Sequence, residues 1–195
     1  MNKQPHASLL SIRSRLSAAR AEPPSQDCLE TSVAVILSPS PRGLEVLFIR
    51  RAEREGDPWS GHIGLPGGRR EPGDADLLTT AIRETREEIG VTLPPDTLLG
   101  ALDDVRPSMP SVPPLMIRPF VFGVEPRPEP GTSEEVAGSY WIPLASLHAA
   151  RASTRVSIRE KAVEVPCFKV PGLPDNLVVW GLTYRILNLL LPLAG

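Results

Sequence analysis

Three glutamates near the middle of the chain have the spacing of a divalent-cation site. Glu87 and Glu88 follow Glu84 by three and four residues, so on a helix all three lie on one broad face. Like charges at that spacing destabilise a helix unless positive charge lies among them. Arg83 supplies part of that charge, and a hard cation would supply more. Because Mg²⁺ prefers carboxylate, water and phosphate oxygens, the pattern predicts a metal-assisted phosphate site.

Two adjacent glycines, Gly67 and Gly68, precede this acidic segment in a predicted loop. Glycine permits positive φ and close approach of the backbone to a ligand or metal. The N–H groups at a loop-to-helix junction are also suited to phosphate oxygens. An acidic cluster by itself is typical of a solvated helix face. The Pro-Gly-Gly before it and the Gly-Val after it favour the metal–phosphate interpretation.

Hydrophobic patterning predicts the elements that position these residues. The clearest helix spans residues 76–89 and ends at Gly90. Its predicted sheet-facing side consists of Leu78, Ile82, Thr85 and Ile89. Further helices are predicted at 8–21, 143–150 and 177–191. Strands are predicted at 31–37, 44–49, 98–105, 116–124, 139–142, 156–158 and 163–170, the first two forming a hairpin. This mixture indicates an α/β or α+β domain with a mixed sheet.

The composition narrows the functional classes. A chain of 195 residues with 41% hydrophobic and 23% charged residues is typical of one folded domain. The net charge of −2 gives no bulk attraction for nucleic acid, so no nucleic-acid partner is expected. No apolar run reaches about 18 residues and no signal peptide is recognisable, so a cytoplasmic protein without a membrane partner is expected. Cys28 and Cys167 lack zinc-site spacing and are expected to be reduced thiols.

The segment that carries the glycines and glutamates resembles the Nudix box, Gly-x5-Glu-x7-Arg-Glu-U-x-Glu-Glu-x-Gly-U, in which U is aliphatic. Residues 83–91 (RETREEIGV) match its second half, with Thr85 at one aliphatic position. In the first half Asp74 replaces Glu, and eight residues rather than seven precede Arg83. The chain is therefore identified as a member of the Nudix hydrolase superfamily, by a resemblance that covers residues 31–190.

Other segments are similar to the coenzyme A pyrophosphatase-like branch of that superfamily. Residues 61–68 resemble its Gly-x3-Phe-Pro-Gly-Gly, with Leu65 in place of Phe. Residues 47–52 resemble its Leu-Leu-Thr-x-Arg-Ser/Ala, with Ile49 in place of Thr. The arginine expected between these pieces is missing or shifted, and Asp57 lies near its place. Residues 133–136 and 179–183 also resemble branch segments.

The resemblance implies an α/β fold, a Nudix-type α/β/α sandwich with a mixed β-sheet in residues 31–195. Residues 1–30 are expected to form an N-terminal helical extension. The implied cofactor is Mg²⁺ or Mn²⁺. The implied metal ligands are Glu84, Glu87, Glu88 and the Gly68 carbonyl. Arg83 is implied to orient one of these carboxylates, and the general base is implied to be Glu87, Glu88 or Glu135.

Substrate contacts are expected around the glycine-rich loop. The candidate substrate-binding residues are Arg50, Arg51, His62, Gly67 and Gly68. Trp59 has two interpretations, stacking on a base or packing in the core, and packing is the favoured one. Trp180, at the start of a predicted helix, is also expected to pack in the core.

The implied function is hydrolysis of a pyrophosphate bond in a nucleoside diphosphate derivative. The leading substrate is coenzyme A or acyl-coenzyme A, giving 3′,5′-ADP and (acyl-)4′-phosphopantetheine. Alternatives are ADP-ribose, nucleotide sugars, dinucleotides or damaged nucleoside triphosphates, a non-catalytic nucleotide-sensing module, and a metal-stabilised structural helix. Retention of all three box glutamates argues against the sensor. The partner is thus a small nucleotide-derived molecule, and the first and last helices are candidate surfaces for a homodimer.

Overall fold

The computed structural model describes residues 6–16, 28–56, 59–107, 114–158, 161–171, 173–174 and 177–194. In these ranges the helices are α1 (Ala7–Leu16), α2 (Leu77–Ile89), α3 (Leu144–Ala149) and α4 (Gly181–Leu190). The strands are β1 (Leu29–Ser40), β2 (Gly43–Arg51), β3 (Ile63–Gly64), β4 (Gly67–Arg69), β5 (Leu98–Ala101), β6 (Leu115–Gly123), β7 (Val136–Pro143), β8 (Arg151–Ile158), β9 (Lys161–Phe168) and β10 (Val179–Trp180). Short 3-10 turns span Pro95–Thr97 and Leu191–Leu193.

The central sheet is mixed, in the order β3-β2-β1-β6-β5, with β7 added on β2 and β4 on β1. β1 and β6 are parallel, and the other pairs in this sheet are antiparallel. Because β6 occupies one edge of β1, both β2 and β4 must lie along the other edge. β2 pairs with the end of β1, and β4 pairs with its beginning. Residues 63–69 therefore fill the space where β1 and β2 diverge.

Helices cover both faces of this sheet. Successive residues of β1 point to opposite faces, as expected for a strand. Ala34 and Ile36 pack on the α2 side, and Val35 and Leu37 pack on the side of α1, α3 and α4. Every one of these four side chains is fully buried. The predicted α/β/α sandwich with a mixed sheet is therefore confirmed.

A second, three-stranded antiparallel sheet has the order β10-β9-β8. It packs against α4, and its strand β10 approaches β3 of the central sheet. Residues of α1 and α4 share one apolar core with Val35 and Phe48. The proposed boundary between residues 1–30 and 31–195 stays a prediction. No helix in the described ranges is long and apolar enough to cross a membrane.

Several sequence-based boundaries need correction. β3 and β4 form where only a loop was expected, because the backbone of β3 pairs with β2 and that of β4 pairs with β1. α4 begins at Gly181 rather than at 177, because the two preceding residues pair with β9. β8 begins five residues earlier than predicted, at Arg151. The end of the predicted first helix, residues 17–21, lies outside the described residues.

Candidate active site

Helix α2 is fixed at both ends by residues visible in the sequence. The Asp76 carboxylate caps its start, accepting the Thr79 N–H at 2.7 Å. Gly90 ends it in the left-handed conformation, with φ of 70°. Thr85, which replaces an aliphatic residue of the box, is fully buried, and its hydroxyl donates to the Ala81 carbonyl at 2.7 Å. The polar atom of this substitution is therefore satisfied within the helix.

Strand β4 lies between β1 and α2 at a distance that only glycine permits. A Cβ on Gly67 would meet the Ser32 carbonyl oxygen and lie 2.6 Å from the Val33 Cα. A Cβ on Gly68 would meet the Glu84 carboxylate, 2.5 Å from its Cδ. The two glycines therefore bring α2 down onto β4 and place the Glu84 carboxylate directly against the Gly68 backbone.

Glu88 is buried beneath the same strand, only 4% exposed. Its Oε2 accepts the Gly67 N–H at 2.9 Å. The pKa of Glu88 is raised from an ordinary 4.5 to about 7, chiefly by burial. The Gly67 N–H and Arg51 oppose this rise, and the charges of Glu84 and Glu135 contribute to it. The pKa of Glu84 is also raised, chiefly by burial, although Arg83 counteracts this.

The three glutamates of α2 line one cleft but differ in exposure. Glu84 and Glu88 turn toward β4, whereas the Glu87 side chain is 51% exposed. Leu78 and Ile82, expected to be the buried face, are only partly buried. The reason is that glycine residues of β4 leave space beneath the helix, and carboxylates fill it.

Arg83 connects the metal-ligand candidates to the loop before α2. Its Nε and Nη2 donate to the two oxygens of Asp74 at 3.0 and 2.9 Å, and its Nη1 donates to Glu84 at 3.0 Å and to Glu87 at 2.9 Å. The Arg83 guanidinium holds the pKa of the buried Asp74 carboxyl well below its usual range. Asp74 thus anchors Arg83 rather than capping the helix, a role that belongs to Asp76.

The box carboxylates face a cleft of about 440 Å³ whose opposite wall is the loop before β7. Its lining residues are Glu71, Arg83, Glu84, Glu87, Glu88, Ser133, Glu134 and Glu135. Glu135 is held by its backbone, whose carbonyl accepts the Ala52 N–H at 2.8 Å, and its carboxylate lies 3.4 Å from Arg54 Nη1. Six carboxylates and one guanidinium therefore share this cleft.

The chemistry of this lining fits a hard divalent cation. The acidic side chains offer carboxylate oxygens, the ligand type that Mg²⁺ and Mn²⁺ favour. Their combined negative charge exceeds the positive charge of Arg83. In the described part of the chain, no three acidic, imidazole or thiol side chains already enclose a metal-sized position. The Arg83 Nη1 contacts two of the carboxylates instead.

A second cavity, of about 360 Å³, is largely apolar, and one of its lining residues, Gly68, lies against the Glu84 carboxylate of the cleft. Three of the predicted substrate-binding residues line it: Arg51, His62 and Gly68. Gly67 lies beside it in β4 and donates to Glu88. Arg50 lines neither of these two cavities, and its Nη2 donates to Glu53 at 3.2 Å.

Two tryptophans in this second cavity were expected in the core. Trp59 is 42% exposed, so its favoured interpretation was wrong. Trp180 is partly buried, and its ring centroid lies 5.9 Å from that of Trp59 and 5.1 Å from that of His62. Residue type alone gave no signal of this exposure, because aromatic residues pack in cores and in ligand pockets alike.

Known proteins resemble this chain in sequence and in fold. The family model for the NUDIX domain matches residues 29–161. An uncharacterized protein of Schizosaccharomyces pombe is 39% identical over 118 residues, covering 58% of this chain and 36% of that protein. The human mitochondrial coenzyme A diphosphatase NUDT8 is 36% identical over 118 residues, covering 58% of this chain and 49% of that protein. The matched region thus spans half or less of either relative.

One solved structure matches nearly the whole chain. A MutT/nudix family protein from Enterococcus faecalis aligns with 96% of this chain and 74% of its own, with a TM-score of 0.57 and 17% identity. At that identity the likeness concerns the fold, and it agrees with the mixed sheet covered by helices described above.

Proposed function

Because the chain belongs to the Nudix family, we propose that it is a metal-dependent pyrophosphohydrolase acting on coenzyme A or acyl-coenzyme A. The products would be 3′,5′-ADP and (acyl-)4′-phosphopantetheine. The observation that carries the reaction type is the cleft that six carboxylates line together with one guanidinium. The similarity to the human coenzyme A diphosphatase supports the substrate.

The negative charge of the cleft explains why a cation is needed to bind a diphosphate. A diphosphate would enter a space lined by six acidic side chains, and like charges repel strongly where water is partly excluded. Bound Mg²⁺ or Mn²⁺ would neutralise the diphosphate and activate the attacking water. Glu84, Glu87 and Glu88 would hold the ion through carboxylate oxygens, and the Gly68 carbonyl is the nearest backbone candidate.

Arg83 and Asp74 keep this arrangement rigid. The bidentate pair between them is largely buried, with side chains 17% and 4% exposed. Arg83 therefore presents Nη1 to Glu84 and Glu87 in one orientation. Positioning of this kind is the main contribution a protein makes to phosphoryl chemistry.

Two places in the cleft could accept the proton that the attacking water loses. One is a box glutamate, Glu87 or Glu88, and the other is Glu135 on the opposite wall. Glu135→Gln separates them, with Glu134→Gln as the matched control on the same loop. If Glu135 is the base, its variant loses roughly 100- to 10,000-fold in kcat with metal affinity unchanged. If both variants keep the kcat of wild type, the proton is assigned to a box glutamate.

The substrate is tested with a panel incubated with Mg²⁺ or Mn²⁺ and products identified by mass. It contains coenzyme A, acetyl-coenzyme A, ADP-ribose, a nucleotide sugar, a dinucleotide polyphosphate and nucleoside triphosphates. We expect 3′,5′-ADP from the first two, and loss of most turnover in Glu84→Gln. A higher kcat/KM for another diphosphate would overturn the substrate. No turnover with either metal would overturn the reaction.

A further inference from the structure

The apolar cavity beside the acidic cleft contains an aromatic cluster that the hydrolytic chemistry does not use. Trp59, His62 and Trp180 have ring centroids 5.1 to 6.1 Å apart, and all three line the cavity. We propose that this cavity binds the nucleobase of the substrate, by stacking of the base on the exposed indole of Trp59. The inference rests on the proposed function, because it assigns one part of the same substrate.

The three rings come from two segments that backbone hydrogen bonds hold in place. The His62 carbonyl accepts the Arg51 N–H at 3.0 Å, and the His62 N–H donates to the Trp59 carbonyl at 3.3 Å. Trp180 lies in β10, paired with Cys167 of β9. The aromatic wall is therefore built before a ligand arrives, which lowers the entropy cost of binding.

Exposure separates Trp59 from the other aromatic residues of the cluster. It is 42% exposed, whereas His62 and Trp180 are partly buried around it. A rigid indole face open to a cavity suits a planar heteroaromatic ring, since stacking on tryptophan tolerates any base. Aliphatic side chains, including Leu29 and Leu182, complete the wall.

The position of the cavity matches the order of groups in a nucleotide. Gly68 lines the cavity and also lies against the Glu84 carboxylate of the cleft. Arg51, at the end of β2, and Arg69 of β4 line the cavity as its guanidinium groups. A nucleotide with its base on Trp59 would thus direct its phosphates past Arg51 toward the box glutamates. A volume of about 360 Å³ fits one nucleoside rather than a whole coenzyme.

Intrinsic fluorescence tests the inference without metal or turnover. The chain has three tryptophans, and the third, Trp141, lies in β7 under the Arg127 guanidinium. Adenosine is titrated into the protein in a chelator, with pantetheine and ribose as comparison ligands. Of the three ligands, we expect adenosine alone to quench the fluorescence saturably. Its apparent affinity should be retained in Trp141→Phe and should fall roughly 5- to 150-fold in Trp59→Ala.

The same variants then separate this inference from the proposed function. Trp59→Ala should raise KM for the best substrate while kcat stays within about twofold, since stacking is equal in ground and transition states. If adenosine quenches the fluorescence of a protein that hydrolyses no member of the panel, the base pocket is supported and the proposed hydrolase activity is refuted. Turnover without adenosine quenching, with unchanged KM in Trp59→Ala, would overturn the base pocket. Quenching by pantetheine alone would also overturn it.

Discussion

Replacing Glu88 by glutamine should stabilise the metal-free protein at alkaline pH. Glu88 is only 4% exposed, and its carboxylate accepts a hydrogen bond from the Gly67 N–H at 2.9 Å. A glutamine can accept the same bond through its carbonyl oxygen without carrying a charge. The variant therefore removes a buried negative charge and keeps the packing.

The magnitude follows from the pKa of Glu88, which burial raises from 4.5 to about 7. Below pH 4.5 the carboxyl is protonated in both folded and unfolded chains, so the two proteins should be equally stable. As the pH rises from 4.5 to about 7, the unfolded chain releases its proton first, and wild-type stability falls. Above pH 7 the loss levels off at roughly 3 kcal/mol, since one pH unit corresponds to about 1.4 kcal/mol.

The assay is urea unfolding of wild type and Glu88→Gln in a chelator, at pH 4.5 and at pH 8.5. Glu87→Gln is the control, because the Glu87 side chain is 51% exposed and its removal should change the free energy of unfolding little. Added Mn²⁺ should then stabilise wild type more than Glu88→Gln, because the cation offsets the buried charge. A variant less stable than wild type at pH 8.5, or a difference independent of pH, would refute this reasoning.

Further predictions concern the contacts around α2. Gly68→Ala should lower kcat/KM at least tenfold, because its Cβ would displace the Glu84 carboxylate; circular dichroism checks that the fold is kept, and unchanged kinetics would contradict the contact. Arg83→Lys should lower the free energy of unfolding by roughly 3 kcal/mol in thermal or urea unfolding, because it leaves the Asp74 carboxylate without its bidentate partner. The pKa of Asp74 is depressed in the folded protein, so its contribution to the free energy of unfolding is present above the unfolded pKa and is lost as the pH falls. The difference in free energy of unfolding between Arg83→Lys and wild type should therefore narrow in acid.

The elements with strong local signals were predictable from sequence. The bounds of α2 differ from the prediction by one residue, because an apolar period, a capping Asp76 and a terminating Gly90 agree. The β1–β2 hairpin was predicted from a β-branched run at 31–37, a turn at 39–43 that is rich in proline and glycine, and a second strand at 44–49, and the structure confirms it. Each of these signals lies within the element that it specifies.

The missed features depend on neighbours distant in sequence. Strand β4 consists largely of glycine and forms because the free edge of β1 accepts it, which no local propensity indicates. Glu88 is buried because Gly67 and Gly68 of that strand have no side chains to exclude it, although glutamate usually lies at the surface. The pairing of Trp59 with Trp180 depends on β10 lying next to β3, although the two strands are far apart in the sequence. Each of these cases is decided by tertiary packing.

Gly68 connects the two cavities, and this limits which substrates can use both. On one side its backbone lies against the Glu84 carboxylate, and on the other it lines the aromatic cavity. The Gly68 backbone therefore lies between the acidic cleft and the proposed base pocket. A nucleoside joined directly to the reacting diphosphate would place its base in one cavity and its phosphates in the other, whereas several further phosphates would separate Trp59 from the glutamates. We therefore expect a higher kcat/KM for diphosphate derivatives than for long dinucleotide polyphosphates, and the reverse order would contradict the proposed base pocket.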